Sequence, residues 1–303
     1  MSTPEGYRRR PLETADAEAV AALINEFERA YLEEPDIVDG AEVSGWWVRF
    51  DLPTDSLAFV APDGSLAACA TAHERTPGTL GLDAYVAPAH QDRGIGSALL
   101  DWLEQEARHR DCSAARTGVL SADRAAQTLI TARGYEPVRH FYRMLIELDA
   151  PPPEPVWPEG FALSTFRPGD EDAIHAVTED AFSEHWGHEP RSLEHWATNT
   201  FAQAWWDPSL VYLVREGNEV VAGEIAAVRF GLGWVGTIGT RKPWRGRGLG
   251  RALLLEAFGE FYRRGELRIG LAVDAANETG ATHLYESAGM HIASQSDVYE
   301  KHL

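Results

Sequence analysis

Arg245-Gly246-Arg247-Gly248-Leu249-Gly250 stands between a run that reads as a strand, residues 234–240, and a run that reads as a helix, with Leu249, Leu253, Ala257, Phe258 and Phe261 on one stripe. In that setting the turn becomes a row of backbone N–H groups at a helix N-terminus, a ready site for a diphosphate. The same reading returns 154 residues earlier, where Gln91-Asp92-Arg93-Gly94-Ile95-Gly96 opens a run with Ile95, Leu99, Leu103 and Ala107 at steps of four. An interval that long marks a duplicated domain, since solenoid repeats run about 20–50 residues. The 303-residue chain therefore reads as two copies of one phosphate-gripping fold.

Asp149-Ala150-Pro151-Pro152-Pro153-Glu154-Pro155 is the expected boundary, because prolines at that density favour a stiff extended linker. It predicts an N-terminal domain over 1–149, a linker over 150–159 and a C-terminal domain over 160–303. Residues 7–12 and 161–168 read as the opening strand of each half. Each half then runs helix, polar loop, strand, strand, glycine loop, helix, strand, helix, strand. In the second half the strands fall at 210–215, 220–228, 234–240 and 267–273, and a short helix at 279–287.

The formal net charge is −20. Phosphate-driven nucleic-acid binding needs Lys and Arg and is disfavoured. The acidic balance would draw a cationic substrate, and a soluble, self-repelling surface explains it as well. Two cysteines, Cys69 and Cys112, form no C-x-x-C pattern, which suits a reduced, cytoplasmic protein. The arginines at 8–10 have no apolar run behind them, so no export signal is read, and no stretch nears the ~18 apolar residues of a membrane span. Monomer and homodimer remain equally open.

A second signature follows the second glycine loop: Val273-Asp274-Ala275-Ala276-Asn277, then Ala281-Thr282-His283-Leu284-Tyr285-Glu286-Ser287-Ala288-Gly289-Met290. With the two loops it resembles the GNAT family of acyl-CoA-dependent N-acetyltransferases, whose pattern is Q/R-x-x-G-x-G/A followed by V-x-x-x-N and A-x-x-L-Y-x-x-x-G-F. Met290 stands in place of the usual aromatic. Both halves match, in the tandem arrangement of mycothiol synthase and its relatives. A Rossmann dinucleotide fold shares only the glycines and lacks its acidic residue at the expected strand end. The resemblance implies an α/β fold of the α+β mixed-sheet kind: two GNAT-type domains in tandem, each a mixed, mostly antiparallel sheet flanked by helices. It also implies acetyl-CoA as acyl donor and no metal.

The resemblance assigns roles. Arg245, Gly246, Arg247, Gly248, Leu249 and Gly250 would hold the cofactor's diphosphate, and Arg247 or Arg251 either contact it or remain solvated. Ile238, Gly239 and Thr240 would lie along the pantetheine arm, one N–H polarising the thioester carbonyl. Asn277 would reach the pantetheine or else close an Asx turn. Tyr285 is the expected proton donor to the departing thiolate. Mycothiol synthase carries a glutamate early on the strand before the loop; Trp234 stands there in this chain. Glu224, within an otherwise apolar strand, is the substitute base, or else a strand-edge carboxylate or an ammonium anchor. Glu184, His185, Trp186 and His188 would shape the acceptor pocket; Gly187 and Pro190 keep the histidines off one helix face, so no zinc site is read. Trp196, Trp205 and Trp206 read as core or pocket wall.

The first copy matches at Ala84, Tyr85, Val86, Gln91, Asp92, Arg93, Gly94, Ile95, Gly96 and Ser97, but Ile130 replaces Tyr285 and Asp123 replaces Asn277. The first domain is therefore expected to be catalytically degenerate. The resulting expectation is transfer of acetyl to the amine of a small polar molecule by direct attack in the second domain. The competing readings are an acyl-CoA-binding sensor and a protein or peptide N-acetyltransferase.

Overall fold

The computed structural model describes residues 3–277 and 279–303. Met1 and Ser2, which belong to the stretch read for an export signal and to the predicted first domain, lie outside the described residues. The chain divides into an N-terminal unit of Met1–Tyr142, Asp274–Ala276 and Ala293–Leu303, and a C-terminal unit of Arg143–Val273 and Asn277–Ile292.

The N-terminal unit opens with β1 (Arg8–Arg10), α1 (Ala17–Tyr31), α2 (Gly40–Trp47) and a single turn, α3 (Leu52–Asp55). Val20, Ala21, Leu23 and Ile24 give α1 a buried stripe. Strands β2 (Ser56–Val60), β3 (Leu66–Thr76) and β4 (Thr79–Val86) follow as antiparallel neighbours. Residues 67–72 of β3 are all buried, and four of them are alanine, Ala67, Ala68, Ala70 and Ala72. Helices α1 and α4 (Ile95–His109) both reach this strand. A strand covered on both faces loses the alternation of a half-exposed one. Then come β5 (Ala114–Leu120), parallel to β4, α5 (Arg124–Ala132) and β6 (Glu136–Glu147). Leu99, Leu103 and Ala107 of α4 sit in the main core with Phe59 and Leu80.

The C-terminal unit repeats the plan. β7 (Phe161–Thr165), α6 (Glu171–Phe182), α7 (Leu193–Thr198), β8 (Val211–Glu216), β9 (Glu219–Arg229) and β10 (Leu232–Thr240) lead to α8 (Leu249–Arg264), β11 (Arg268–Asp274), α9 (Ala281–Ser287) and β12 (His291–His302). β7 to β10 are antiparallel neighbours, and β11 runs parallel to β10. Ile174, Val177, Trp196 and Leu213 anchor one core cluster, with Trp205 and Trp206 against it.

The two units are not collinear with the sequence, and here the boundaries 1–149 and 160–303 need amending. The strand beside β5 is β12: Ser296–His302 pairs antiparallel with Leu120–Ala114. The strand beside β11 is β6, whose second half belongs to the C-terminal unit. Each unit is thus completed by strand residues from the end of the other half of the chain. The duplication explains it: two equivalent strands meet two equivalent sheet edges, so either fits either, as in a domain swap within one chain. The prolines at 151–153 and 155 lie between β6 and β7, but they do not mark the end of either unit.

Candidate active site

Both glycine loops have the geometry that an anion needs. Gly94 caps α4 with φ +81° and Gly248 caps α8 with φ +87°. Asp92 adopts with φ +56° what Gly246 adopts with φ +75°, a conformation that Asp tolerates better than most side chains. No atom lies within 4 Å of where a Cβ would sit on Gly94, Gly246 or Gly248. The ground before each loop is open, and a helix N-terminus points unpaired N–H groups into it.

The strand that leads into each loop has a free edge. β10 meets β11 only at Gly233↔Ile269 and Trp234↔Gly270. A bulge at Gly236 then shifts the β9 register, and residues 237–240 keep only their β9 partners. β4 meets β5 from Thr79↔Ala114 to Leu82↔Thr117 and then departs, without a bulge at the equivalent place. The exposed edge of 238–240, and of 84–86 in the first copy, can hydrogen-bond an extended pantetheine arm as a missing strand would. In the N-terminal unit this splay opens a cavity of about 590 Å³. Residues 84–86, 91–92 and 94–97 line it; of the ten first-copy candidates Arg93 alone does not.

Helix α9 presents Tyr285. Its ring is buried at 6% exposure, and its hydroxyl makes no hydrogen bond among the described residues. Burial, with Glu224 as a lesser cause, pushes the phenol well above its ordinary value. Ile130 on α5 is its counterpart at 5% exposure, and it lines the N-terminal cavity.

A family model described as "Acetyltransferase (GNAT) family" matches residues 20–135 and 172–290. The chain belongs to the GNAT family. Mycothiol acetyltransferase of Clavibacter sepedonicus is 32% identical over 255 residues, covering 82% of this chain and 81% of that protein. The enzyme of that name from Propionibacterium freudenreichii subsp. shermanii is 31% identical, covering 86% and 82%. Among solved structures, a GCN5-related N-acetyltransferase from Sphaerobacter thermophilus has a TM-score of 0.85 and 36% identity, covering 99% of this chain and 97% of that one. A tandem GNAT protein from the clavulanic acid biosynthesis pathway has a TM-score of 0.75 at 18% identity, 98% of each chain being covered; it shares the fold. This GNAT protein is thus an acetyl-CoA-dependent acetyltransferase with two GNAT domains in tandem.

Glu224 departs furthest from the half-desolvated carboxylate expected of a base. It is fully buried, and neither carboxylate oxygen has a hydrogen-bond partner among the described residues. A Cβ on Gly223 would meet Ile174 of α6 at 2.5 Å, so Glu224 points to the opposite face of the sheet, the face of α8. Burial first, and the Glu256 carboxylate on α8 second, raise its pKa well above the ordinary range. That environment favours the protonated form of Glu224 in the GNAT protein.

The loop after α6 is spent largely on holding the site together. Glu184 accepts from Arg245 at 3.0 Å and pairs with Lys242 at 3.1 Å. The Arg245 hydrogen bond, then Lys242, keeps its carboxyl below the usual range. Arg245 also donates to the Thr240 and Ala181 carbonyls. It therefore ties strand, loop and α6 together. Arg247 donates to the Pro243 carbonyl, whereas exposed Arg251 makes no ion pair among the described residues. His188 lies 3.3 Å from Glu179. His185 packs its ring on Phe182 and lies 3.5 Å from the Asn277 amide, while Trp186 is half-buried. Asn277 does close the Asx turn, accepting from the Thr279 N–H, and Asp123 instead caps α5 by accepting from the Ala126 N–H. Trp234 packs edge-on against Phe230 and over Gly270. Among the described residues no three His, Cys, Asp or Glu side chains could share a metal, and no helix is long and apolar enough to cross a membrane.

Sequence reasoning missed Arg245 as a structural tie and a second N-terminal chamber, lined by Trp46, Trp47 and Phe50 among others. The tie was hidden because a loop arginine beside a phosphate site reads first as a phosphate ligand. The chamber is assembled from five separated stretches, at 12, 20–24, 46–50, 69–71 and 83–85, whose apolar residues read as ordinary core.

Proposed function

We propose that the GNAT protein transfers acetyl from acetyl-CoA to the amine of a small polar molecule, by direct attack, in its C-terminal unit. The observation that carries this is Tyr285: a buried ring, a hydroxyl that makes no hydrogen bond among the described residues, and a helix seated beside the C-terminal phosphate loop. Its phenol, held protonated by burial, can hydrogen-bond the departing thiolate as charge builds there and pass it the proton. Burial keeps the Tyr285 proton in place until that thiolate forms. Acetyl-CoA supplies the activated acyl carbon and the thiol leaving group. An edge N–H at 238–240 donates to the carbonyl oxygen as negative charge grows there. Both cysteines are buried and belong to the N-terminal unit, with the Cys69 thiol pushed up to about 12 by burial. That supports direct transfer over an acyl-enzyme.

The amine must attack neutral, and burial without a partner disfavours an ionised Glu224 that could take its proton. The ammonium loses it to water before attack, the second proton leaves the nitrogen as the amide forms and returns through water to Tyr285, which has given its own to the thiolate, and Glu224 lies off this path on the α8 face of the sheet. The relatives named mycothiol acetyltransferase support a small-molecule acceptor. Among an amino sugar, a polyamine-like amine and a thiol-cofactor precursor they favour the last. The N-terminal unit serves as a binding module, favoured by its open cleft and by Ile130 in place of a donor.

Thiol release from acetyl-CoA, followed across a panel of those three amine classes, tests the proposal. Amine-dependent release with at least one class supports it. Acetyl-CoA binding with no release for any amine would leave a sensor and contradict it.

A further inference from the structure

Against the large cleft of the N-terminal unit lies a chamber of about 160 Å³, and the two share Asp83 and Tyr85 in their walls. A cavity of about 150 Å³ with apolar walls takes a benzene-sized molecule. Trp46, Trp47 and Phe50 supply three aromatic walls. Two charges of opposite sign also line it. Arg49 is exposed, makes no ion pair among the described residues and holds its guanidinium 5.2 Å over the Phe50 ring. Asp83 gives Oδ1 to Arg75 at 2.5 Å, while Oδ2 has no hydrogen bond among the described residues. β4 places Asp83 opposite Thr71, just before the free strand edge at 84–86.

An apolar body flanked by one cation and one carboxylate is complementary to a zwitterion with an apolar side chain. We propose that this chamber binds an apolar α-amino acid. The side chain fills the aromatic compartment, the α-carboxylate meets Arg49 and the α-ammonium meets Asp83 at the junction with the cofactor cleft. Arg75 leaves the Asp83 carboxylate one free oxygen, which an ammonium needs and a second guanidinium fork would not find. The site belongs to the copy that has Ile130 in place of tyrosine, so it is a binding site and involves no transfer step. It does not rest on the acetyl-transfer reading of the C-terminal unit.

Calorimetric titration of the full chain tests it, with L-phenylalanine and L-leucine as probes. 2-Phenylethylamine lacks the carboxylate and 3-phenylpropanoate lacks the ammonium; each should bind at least tenfold more weakly than L-phenylalanine. Arg49→Gln should weaken L-phenylalanine at least tenfold and leave 2-phenylethylamine unchanged. Asp83→Asn should weaken L-phenylalanine and leave 3-phenylpropanoate unchanged. Both residues are exposed, and circular dichroism confirms that the variants fold. No heat from either amino acid at millimolar concentration, equal binding of the one-charge analogues, or affinity untouched by Arg49→Gln would each overturn the proposal.

Discussion

Leu284 Cδ2 lies 3.3 Å from the point that a Cβ on Gly250 would occupy, and Leu129 Cδ2 lies 3.0 Å from the same point on Gly96. Leucine and glycine thus lock α9 to α8 in one copy and α5 to α4 in the other. The residue after each leucine is Tyr285 in one and Ile130 in the other. The contact sets where the Tyr285 hydroxyl sits, without touching substrate itself.

Enlarging that glycine should therefore act on catalysis at a distance. In Gly250→Val the added methyl groups press on Leu284 and are expected to move the helix carrying Tyr285, and a displacement near 1 Å can cost about 10²-fold in rate. Steady-state kinetics should show kcat falling by about that factor. The matching Gly96→Val should leave kcat within about threefold, because no donor follows Leu129. Equal losses in both variants would contradict the assignment of catalysis to the C-terminal unit.

The two phosphate loops should be separable by stoichiometry. Gly248→Val and Gly94→Val each place a side chain in open ground before a loop, at a φ that L-residues rarely adopt. Calorimetry should count two acetyl-CoA molecules per native chain and one in either variant. Only Gly248→Val should abolish turnover.

Glu224 leaves a signature in stability. The unfolded carboxyl ionises near ~4.3, whereas burial keeps the folded one protonated at higher pH. Between those two values the folded state binds one more proton, so this group makes stability fall by about 1.4 kcal/mol per pH unit as pH rises. Glu224→Gln removes that slope. The melting temperature of the variant relative to the native chain should rise as pH rises above about 5, and turnover should keep its rising limb with pH. A constant offset in Tm would show that Glu224 is ionised in the fold, and a lost limb would restore it as the base.

The exchanged strands predict the behaviour of the halves. A chain cut at 150 separates β5 from β12 and β11 from the second half of β6. Residues 1–149 and 160–303 expressed alone should each show exposed hydrophobic surface and broad melting, and co-expression should recover a 1:1 complex that melts sharply. Two independently well-folded halves would contradict the exchange.

What the sequence revealed followed from local chemistry. Glycines at 94, 96, 246, 248 and 250 between strand and helix patterns can be read in a window of a few residues, and so can Leu284-Tyr285 with Gly289. The exchange of β6 and β12 was not legible, because equivalent strands have interchangeable patterns and pairing is decided by which edge each one reaches. Glu224 was visible as a charge among apolar residues, yet its full burial depends on α8 covering that face. Glu184 carried the chemistry of a pocket ligand, and only the fold brings Lys242 and Arg245 close enough to claim it.

The account turns on Tyr285, and Tyr285→Phe tests it most directly. The phenylalanine ring keeps the packing and removes only the hydroxyl. With the amine that supports turnover, kcat should fall by about 10²–10⁴ while the dissociation constant for acetyl-CoA stays within about twofold. An unchanged kcat would show that the thiolate leaves without this proton and that the hydroxyl on α9 has no part in the transfer.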